Sequence, residues 1–325
     1  METVRIVRTA LNKKSERDRL LSTLRGWLSD IKPYTDEEVM ELLMGAIRGG
    51  EIVPQIPSRT GALIGQEQLK QWWEGRVKPQ TLVLGRDDYL KCLLFAIRAF
   101  YRRTGMTITH FGRREQRREM GQWLSNQTEG KLGEIAVQKF LQRHGIQADL
   151  DWTLRETPGD YLPDIASVWR RPPNLRVSIK TTKFRGIWLD LPKREVDRAE
   201  RGIDAAILVR IGLPEDHFLR VLKEISALLK LLAAYLGFDE AKLRHVLQEG
   251  TTEADEIREI WEEVPSLGAL KAYVVGYALK DDLHSRLVKK GEKVERLGKM
   301  EEDKYVLKSG ELRWGCEWRE LIGRL

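Results

Sequence analysis

Cysteine is scarce in this 325-residue chain, which contains only Cys92 and Cys316. The two lie far apart, and no CxxC or Cys/His spacing accompanies them, so the sequence predicts neither a disulfide framework nor a zinc site. The five histidines form no ligand spacing either. This use of cysteine fits a reducing compartment, and we expect a cytoplasmic protein.

Long apolar runs are also missing. No segment reaches the roughly 18 uninterrupted apolar residues of a membrane-spanning helix, and the opening METVRIVRTALNKK lacks the apolar core of a signal peptide. The nearest candidate, residues 218–238, is interrupted by four charged side chains and is predicted to be a buried or interface helix. The sequence therefore predicts no membrane association.

Acidic residues are fewer than basic ones, 49 against 56, which gives a formal charge of +7 and an isoelectric point near 9.3. Apolar residues make up 42% of the chain, enough to bury a substantial core, so an intrinsically disordered protein is excluded. A basic balance of this size favours a polyanionic partner such as nucleic acid without requiring one.

The first 105 residues are predicted to form a helical region, because apolar side chains recur there at spacings of three and four. Thr35 and Glu38 make a capping-box pattern that opens one helix, and Gly49-Gly50 would end it. Residues 52–65 contain two prolines and two glycines, which predicts a loop or a short hairpin. The region has three possible roles: DNA recognition, dimerisation or wrapping of the core.

From residue 106 to the end, the pattern changes to that of a mixed α/β domain. The predicted elements are a helix over 128–143, strands over 161–169, 176–181, 205–211 and 271–278, a helical insertion over 217–263, and a short strand at 305–307 before a final helix over 311–325. We therefore expect an α/β fold with a central mixed sheet flanked by helices.

Four features occur in the order that a metal-dependent phosphodiesterase requires. Glu134 lies on the predicted helix, Asp164 lies in LPDI, Lys180 ends the strand VSIK, and the charged stretch KREVDRAERGID follows. The spacing between Asp164 and Lys180 suits a hairpin. Phosphodiester cleavage uses a divalent ion such as Mg²⁺, which takes oxygen ligands. Asp164 is the predicted metal anchor with the Ile179 carbonyl beside it, and Lys180 is predicted to point at the scissile phosphate or the attacking water.

These segments resemble the PD-(D/E)xK nuclease superfamily, and more narrowly its type II restriction endonucleases. The resemblance rests on GKLGEIAVQKFL, GDYLPDI, VSIKTTKFRGIWLDLP and AAILVRIGL, and it covers roughly residues 128–213. It implies a restriction-endonuclease-like fold and Mg²⁺-dependent hydrolysis of double-stranded DNA. A homodimer is also expected, because cutting both strands calls for two active sites. By motif position, Asp164 is the PD aspartate, Lys180 the lysine and Glu134 the helical acid.

The sequence departs from that pattern at one position. The acid expected two residues before the lysine is Ser178 here, and serine is a poor metal ligand. Some restriction enzymes that have serine there take the missing carboxylate from the helix after the lysine strand, so the resemblance makes Glu195 the best-placed substitute. Glu200 and Asp204 remain possible.

Basic side chains that follow the lysine strand are predicted to contact DNA, because they flank the predicted active site. They are Lys183, Arg185, Lys193, Arg194 and Arg198. An earlier arginine cluster either binds phosphates or forms an ordinary charged surface with the glutamates interleaved in it. Its members include Arg113, Arg114 and Arg117. Tryptophans at close spacings are predicted to be core rather than base-stacking residues. These are Trp72, Trp73, Trp314 and Trp318.

The leading hypothesis is a site-specific endonuclease that restricts foreign DNA. An alternative within the same fold is a structure-selective nuclease, such as a junction resolvase or a repair enzyme. An alternative from another class is a DNA-binding protein with an inactive nuclease core. Ser178 keeps that last hypothesis open, whereas the presence together of Glu134, Asp164 and Lys180 argues against it.

Overall fold

The computed structural model describes residues 3–7, 14–28, 31, 34–54, 56–58, 61–102, 120–154, 163–199, 202–236, 239, 241, 245 and 261–325. The chain divides into two compact units. The first unit comprises Met1–Leu84, Asp88–Gly212 and Lys271–Leu325, and the second comprises Gly85–Asp87 and Leu213–Leu270. The N-terminal 84 residues thus belong to the same compact unit as the residues of the predicted site.

Helices contribute to both units. Those with defined bounds are α1 (Lys14–Trp27), α2 (Asp36–Gly49), α3 (Gln66–Trp72), α4 (Arg86–Tyr101), α5 (Met120–Arg143), α6 (Lys193–Val196), α7 (His217–Glu224), α8 (Ala227–Leu236), α9 (Lys280–His284) and α10 (Trp318–Arg324). A π-helical turn over Trp73–Val77 and a 3-10 turn over Lys78–Gln80 continue α3. Within the described residues, every helix is too short or too polar to traverse a lipid bilayer.

The strands form a central sheet and four smaller ones. They are β1 (Thr3–Val7), β2 (Ile56–Ser58), β3 (Gly61–Gly65), β4 (Thr81–Leu84), β5 (Ala148–Leu150), β6 (Ile165–Val168), β7 (Val177–Lys183), β8 (Trp188–Pro192), β9 (Ala205–Ile211), β10 (Leu270–Leu279), β11 (Leu287–Val288), β12 (Lys293–Val294), β13 (Gly298–Lys299) and β14 (Lys304–Lys308). The central sheet has the order β4-β10-β9-β7. It is mixed, because β9 runs antiparallel to β10 and parallel to β7. The smaller sheets have the orders β1-β3-β2, β11-β14-β8, β12-β13 and β5-β6.

Helices cover the central sheet on both faces. On one face, α5 packs against β4, β9 and β7, and the Phe140 ring lies 4.7 Å from the ring of Trp318 on α10. On the other face, α1 and α2 supply leucines such as Leu24 and Leu42 to a core cluster that includes Leu208 and Tyr273 of the sheet. The fold is therefore a central mixed sheet flanked by helices, as the sequence predicts.

Two local predictions are confirmed residue by residue. Strand β9 has the predicted bounds, and all seven of its residues are buried, including the charged Arg210, as expected for a strand in the middle of a sheet. At the start of α2, the Glu38 N–H donates to Thr35 Oγ1 at 3.2 Å, and the Thr35 N–H donates to Glu38 Oε2 at 2.7 Å. Gly50 ends this helix with a φ of 80°, in the left-handed region that glycine adopts without strain.

The prediction of a helical N-terminal region is incomplete. It misses β1, and it misses β4, which becomes the edge strand of the central sheet. Strands of four or five residues are too short to show an alternating pattern against the surrounding helices. The proline- and glycine-containing segment does form a hairpin, with β2 paired antiparallel to β3. The final predicted helix is also shorter than expected, since α10 begins only at Trp318 after two 3-10 turns.

The predicted hairpin between the Asp164 and Lys180 segments is wrong. Strand β6 pairs with β5, whereas β7 pairs with β9. Trp169 and Arg170 both have positive φ at the end of β6, and Pro172-Pro173 follow without N–H donors for a ladder. The chain therefore turns away before β7 begins, and the Asp164 N–H donates across to the Val177 carbonyl at 3.0 Å.

Candidate active site

Strand β7 is the element on which the predicted site residues meet. It lies at one end of the central sheet, with β9 on one side. Lys180 occupies the middle of β7 rather than its end, because pairing with β9 continues as far as Lys183 opposite Ile211. The prediction that Lys180 ends the strand is wrong by three residues. The β-branched Thr181 and Thr182 favour this extension.

Asp164 reaches β7 from the residue directly before β6. Its Oδ2 accepts a hydrogen bond of 2.6 Å from the Ile179 N–H. In an extended strand, the N–H and the C=O of one residue point to the same edge, so the Ile179 carbonyl also faces the Asp164 side of β7. Burial raises the pKa of Asp164 more than Lys180 and the Ile179 N–H lower it.

Glu134 approaches the same strand from α5. The helix can come this close because residue 133 is glycine: a Cβ atom there would lie 1.9 Å from Thr181 Oγ1. Glu134 is buried, with 7% of its surface exposed. Burial, together with the negative charge of Asp164, raises the pKa of Glu134 well above its ordinary value.

Lys131 is a member of the site that the sequence analysis missed. Its ammonium donates to Glu134 Oε2 at 2.7 Å and to the Asp151 carbonyl at 2.7 Å. It also lies 4.8 Å from the centre of the Phe95 ring. The signal was present in the sequence, because Lys131 precedes Glu134 by three residues and therefore shares its helix face. Lys131 is a positioning residue, since it holds the Glu134 carboxylate and offsets part of its charge.

Lys180 and Glu195 form an ion pair beside these acids. The Lys180 ammonium donates to Glu195 Oε2 at 3.0 Å, and the Glu195 side chain is almost fully buried. Burial lowers the pKa of Lys180, but the charges of Glu195 and Asp164 outweigh it, so the pKa is raised overall. Asp190, also missed from the sequence, adds to this effect and accepts a hydrogen bond of 2.7 Å from Lys304.

The three candidates for the missing carboxylate have different positions. Glu195 lies on α6 and contacts Lys180 directly. Asp204 instead accepts a hydrogen bond of 2.8 Å from the Arg176 backbone N–H, just before β9. Glu200 is outside the described residues. Ser178 is buried within β7. Among the described candidates, the geometry therefore places Glu195 rather than Asp204 beside Lys180.

Most of the basic side chains predicted to contact DNA lie at the surface. Lys183, Arg185, Arg194 and Arg198 are exposed, and Lys193 is half-buried. Three of them pair with acids: Arg185 with Glu41 at 3.0 Å, Lys193 with Asp197 at 3.3 Å and Arg194 with Glu302 at 3.3 Å. Arg113, Arg114 and Arg117 lie outside the described residues.

The tryptophans follow the core prediction with one exception. Trp72, Trp73 and Trp318 are buried. Trp314 is half-buried, and the Arg76 guanidinium lies 4.9 Å from the centre of its ring. None of these four side chains belongs to the site around β7.

Each of the three carboxylates at the site accepts a hydrogen bond, two of them from lysines. Glu134 accepts from Lys131 and Glu195 accepts from Lys180, while Asp164 accepts from a backbone N–H. In the part of the chain that the structure describes, no three His, Cys, Asp or Glu side chains are grouped closely enough to enclose a metal ion. The site as described is therefore a cluster of acids balanced by two ammonium groups.

The raised pKa of Glu134 predicts a pH-dependent cost to stability in the metal-free protein. A carboxyl whose pKa is higher in the folded than in the unfolded state binds protons more tightly when folded, so the free energy of unfolding falls as pH rises through the folded pKa. Glu134→Gln removes that ionisation. We expect the variant to be more stable than the wild type at neutral pH, with an advantage that shrinks toward the ordinary carboxyl pKa of 4.5.

Urea unfolding in EDTA, across a series of pH values from about 5 to 8, measures this difference. Glu292→Gln is a suitable control, because it replaces an exposed carboxylate in the same unit. A Glu134→Gln protein that is less stable than the wild type at neutral pH would show that the bond from Lys131 outweighs the cost of burying the charge.

No protein-family model matches the chain, and no curated protein and no solved structure matches it either.

Proposed function

We propose that this protein is a Mg²⁺-dependent endonuclease that hydrolyses phosphodiester bonds of double-stranded DNA, and that it is a type II site-specific restriction enzyme acting as a homodimer. The observation that carries the proposal is the meeting of Glu134, Asp164, Lys180 and Glu195 at β7. Burial disfavours the ionised forms of Glu134 and Asp164, which lowers the stability of the protein. Acids in such surroundings are typical of functional sites.

The set of donors fits a hard divalent cation. Burial raises the pKa of both Glu134 and Asp164, so a positive charge nearby would favour their ionised forms. Asp164, the Ile179 carbonyl and Glu195 would hold Mg²⁺, with Glu134 as a further acid, and all of them offer the oxygen ligands that this ion takes. Bound Mg²⁺ supplies polarisation of the phosphoryl oxygen and a lowered pKa for water.

The protein's own side chains then have separate tasks. Asp164 is fixed by the Ile179 N–H, so its free oxygen keeps one direction. The Lys180 ammonium is held by Glu195 on one side and is about one-third exposed. From there it can donate to the attacking water or to a phosphate oxygen, where it would stabilise negative charge that develops during hydrolysis. Lys131 keeps the Glu134 carboxylate in its rotamer.

Basic side chains beside the site support DNA as the substrate. Lys183 is the last residue of β7, and Arg185 follows that strand. Arg194 lies in α6 and Arg198 follows it, so these two arginines are on either side of Glu195 in the sequence. Exposed cations placed in this way can neutralise backbone phosphates, and arginines can also read guanine edges in the major groove.

One of these side chains gives a direct test of phosphate contact. Arg194 is 68% exposed, and its pair with Glu302 is a surface pair of small energetic value. If Arg194 neutralises one phosphate, Arg194→Ala reduces the slope of log Kobs against log salt concentration by about one. Fluorescence anisotropy of a labelled duplex in EDTA, at several salt concentrations, measures the slope.

Arg324→Ala is the matched control for this measurement. Arg324 is 51% exposed on α10 and pairs with Glu320 at 3.6 Å, so it resembles Arg194 in exposure and partner but lies in another element. We expect the control to keep the wild-type slope. An unchanged slope in Arg194→Ala would remove Arg194 from the DNA interface.

The proposed activity itself is tested with a long, unmethylated duplex DNA incubated with the protein in Mg²⁺ or in EDTA, with the products resolved by size. Discrete fragments that appear only with Mg²⁺ would support a site-specific endonuclease. A continuous smear would favour a nuclease without sequence preference, and cleavage only of branched substrates would favour a junction or repair enzyme. DNA that is bound but never cut would favour an inactive nuclease core.

A further inference from the structure

A cavity of about 490 Å³ lies on the small sheet β11-β14-β8. Its size falls within the range of sites that enclose small organic molecules. Trp188, Lys308 and Arg286 line it together with Val288, Val294 and Val306. One large aromatic ring, two cationic side chains, the Glu311 carboxylate and an apolar wall therefore line the same space.

The register of the sheet places these residues on one face. Trp188 lies opposite Lys308 and Asp190 lies opposite Val306, and opposite residues of an antiparallel pair share a face. The intervening Leu189 and Leu191 point the other way, into the core cluster. The cavity is therefore on the outer face of the sheet, where a bound molecule has access from solvent.

The Trp188 ring is fixed in place. Its Nε1–H donates to the Glu295 carbonyl at 2.9 Å. The Lys308 ammonium lies 5.4 Å from the ring centre. Among the ion pairs between described residues, Arg286 is paired with Glu311, while Lys308 has no carboxylate partner. An ammonium on a flexible stem can turn from the ring to a phosphate without moving the backbone.

This face leads toward the proposed active site. Asp190 is two residues beyond Trp188 on the same side of β8, a separation of about 7 Å along the strand. Asp190 is also near enough to Lys180 to contribute to the raised pKa of that ammonium. The cavity thus shares its face of β8 with Asp190, an acid that interacts electrostatically with Lys180.

A planar ring with a cation beside it can bind the base and the phosphate of a nucleotide, because nucleobases stack on tryptophan and ammonium groups bind phosphate. Bases inside a duplex are already stacked on one another, so Trp188 can contact only a base that has left the helix. We propose that the cavity binds one extrahelical nucleotide of a DNA strand, with the base on Trp188 and a phosphate at Lys308. The proposal rests on the proposed function only in taking DNA as the substrate.

The test measures binding without cleavage. A duplex carrying a single unpaired 2-aminopurine deoxynucleotide, the fully paired duplex, and the free 2-aminopurine deoxynucleotide are each titrated with the protein in EDTA. We expect quenching of 2-aminopurine fluorescence in the bulged duplex and a preference for it over the paired duplex. Trp188→Ala should weaken binding of the bulged duplex about tenfold and abolish the quenching, as expected for loss of one base stacked on an aromatic ring.

Three further variants make the result specific. Trp188→Phe keeps a ring, so it should retain most of the preference, while Lys308→Gln should weaken binding and leave the quenching. Trp169→Ala removes a tryptophan of the same unit that is more exposed than Trp188, and it should behave as the wild type. These variants also decide the outcome if Trp188→Ala does not fold.

Equal binding of the bulged and paired duplexes by the wild type, or unchanged quenching in Trp188→Ala, would overturn the proposal. The free deoxynucleotide could also be quenched as strongly as the bulged duplex, with that quenching lost in Trp188→Ala. This result would overturn the proposal that the bound nucleotide belongs to a DNA strand, and it would assign the cavity to a free nucleotide. Because no arm depends on cleavage, an inactive nuclease core can pass this test, and an active nuclease can fail it.

Discussion

Lys180→Ala is expected to lower the rate of the proposed Mg²⁺-dependent DNA cleavage on the order of a thousandfold, because it would remove a positioned cation where negative charge is proposed to develop. Asp164→Asn is expected to have an effect at least as large. It exchanges a carboxylate for an amide of the same shape, so the Asp164 position keeps an acceptor for the Ile179 N–H while losing its charge. Single-turnover cleavage of a duplex substrate measures both losses.

Two measurements separate loss of chemistry from loss of structure. DNA binding in EDTA should stay within a few-fold of wild type in both variants, because each changes one group at the site. Lys139→Ala is the matched control: this lysine pairs with Asp88 at 2.6 Å and has a similar exposure to Lys180, but it lies on α5 rather than on β7. A Lys180→Ala protein that keeps more than about a tenth of the wild-type rate would contradict a catalytic role for this ammonium.

Local sequence rules predict the parts of this fold that depend on neighbouring residues. Strand β9 is apolar at every position except Arg210, and the capping box of α2 needs only Thr35 and Glu38. Pairing between distant segments follows different rules. The chain turns away after β6 because of two residues with positive φ and two prolines, and β4 joins β10 across almost 200 positions. Neither contact leaves a periodic signal in the sequence.

The site shows the same division. Motif order gives Glu134, Asp164 and Lys180, and the structure brings all three to β7 together with Glu195. Lys131 shares a helix face with Glu134 because three residues separate them, whereas the approach of Asp190 to Lys180 is decided by packing between distant segments. The close approach of α5 depends on one glycine against one threonine, which no single-sequence pattern reveals.

A second group of charged side chains is fully buried, and it lies far from β7 in sequence. The sequence patterns do not predict this group. Glu51 and Arg210 form an ion pair of 2.8 Å with both side chains inaccessible to solvent. Trp72 Nε1–H and the Tyr273 hydroxyl each donate to Glu51 Oε2 at 3.1 Å. Arg76 lies 3.8 Å from the same carboxylate. The cluster links the end of α2 and the turn after α3 to β9 and β10.

The balance of this cluster depends on Glu51. Burial raises the pKa of Glu51, but Arg210 and Arg76 outweigh it and hold the pKa below its ordinary value. The carboxylate therefore stays ionised between two guanidinium groups. Arg210 also donates to Ser309 Oγ at 2.9 Å, and Arg76 donates to the Ser309 carbonyl at 2.7 Å. Removing the one negative charge leaves two buried positive charges without compensation.

Glu51→Gln is accordingly expected to lower the free energy of unfolding by about 3 to 5 kcal/mol, the usual cost of breaking a buried ion pair by removing one partner. Urea unfolding at neutral pH, followed by tryptophan fluorescence, measures this loss, since Trp72 contacts Glu51 directly.

Glu302→Gln is the control: it breaks a surface pair with Arg194 and should cost at most about 1 kcal/mol. The double variant Glu51→Gln/Arg210→Met removes both charges of the pair, so its loss should be smaller than the sum of the two single losses. Additive losses would contradict this prediction, because they would mean that the two charges do not stabilise each other.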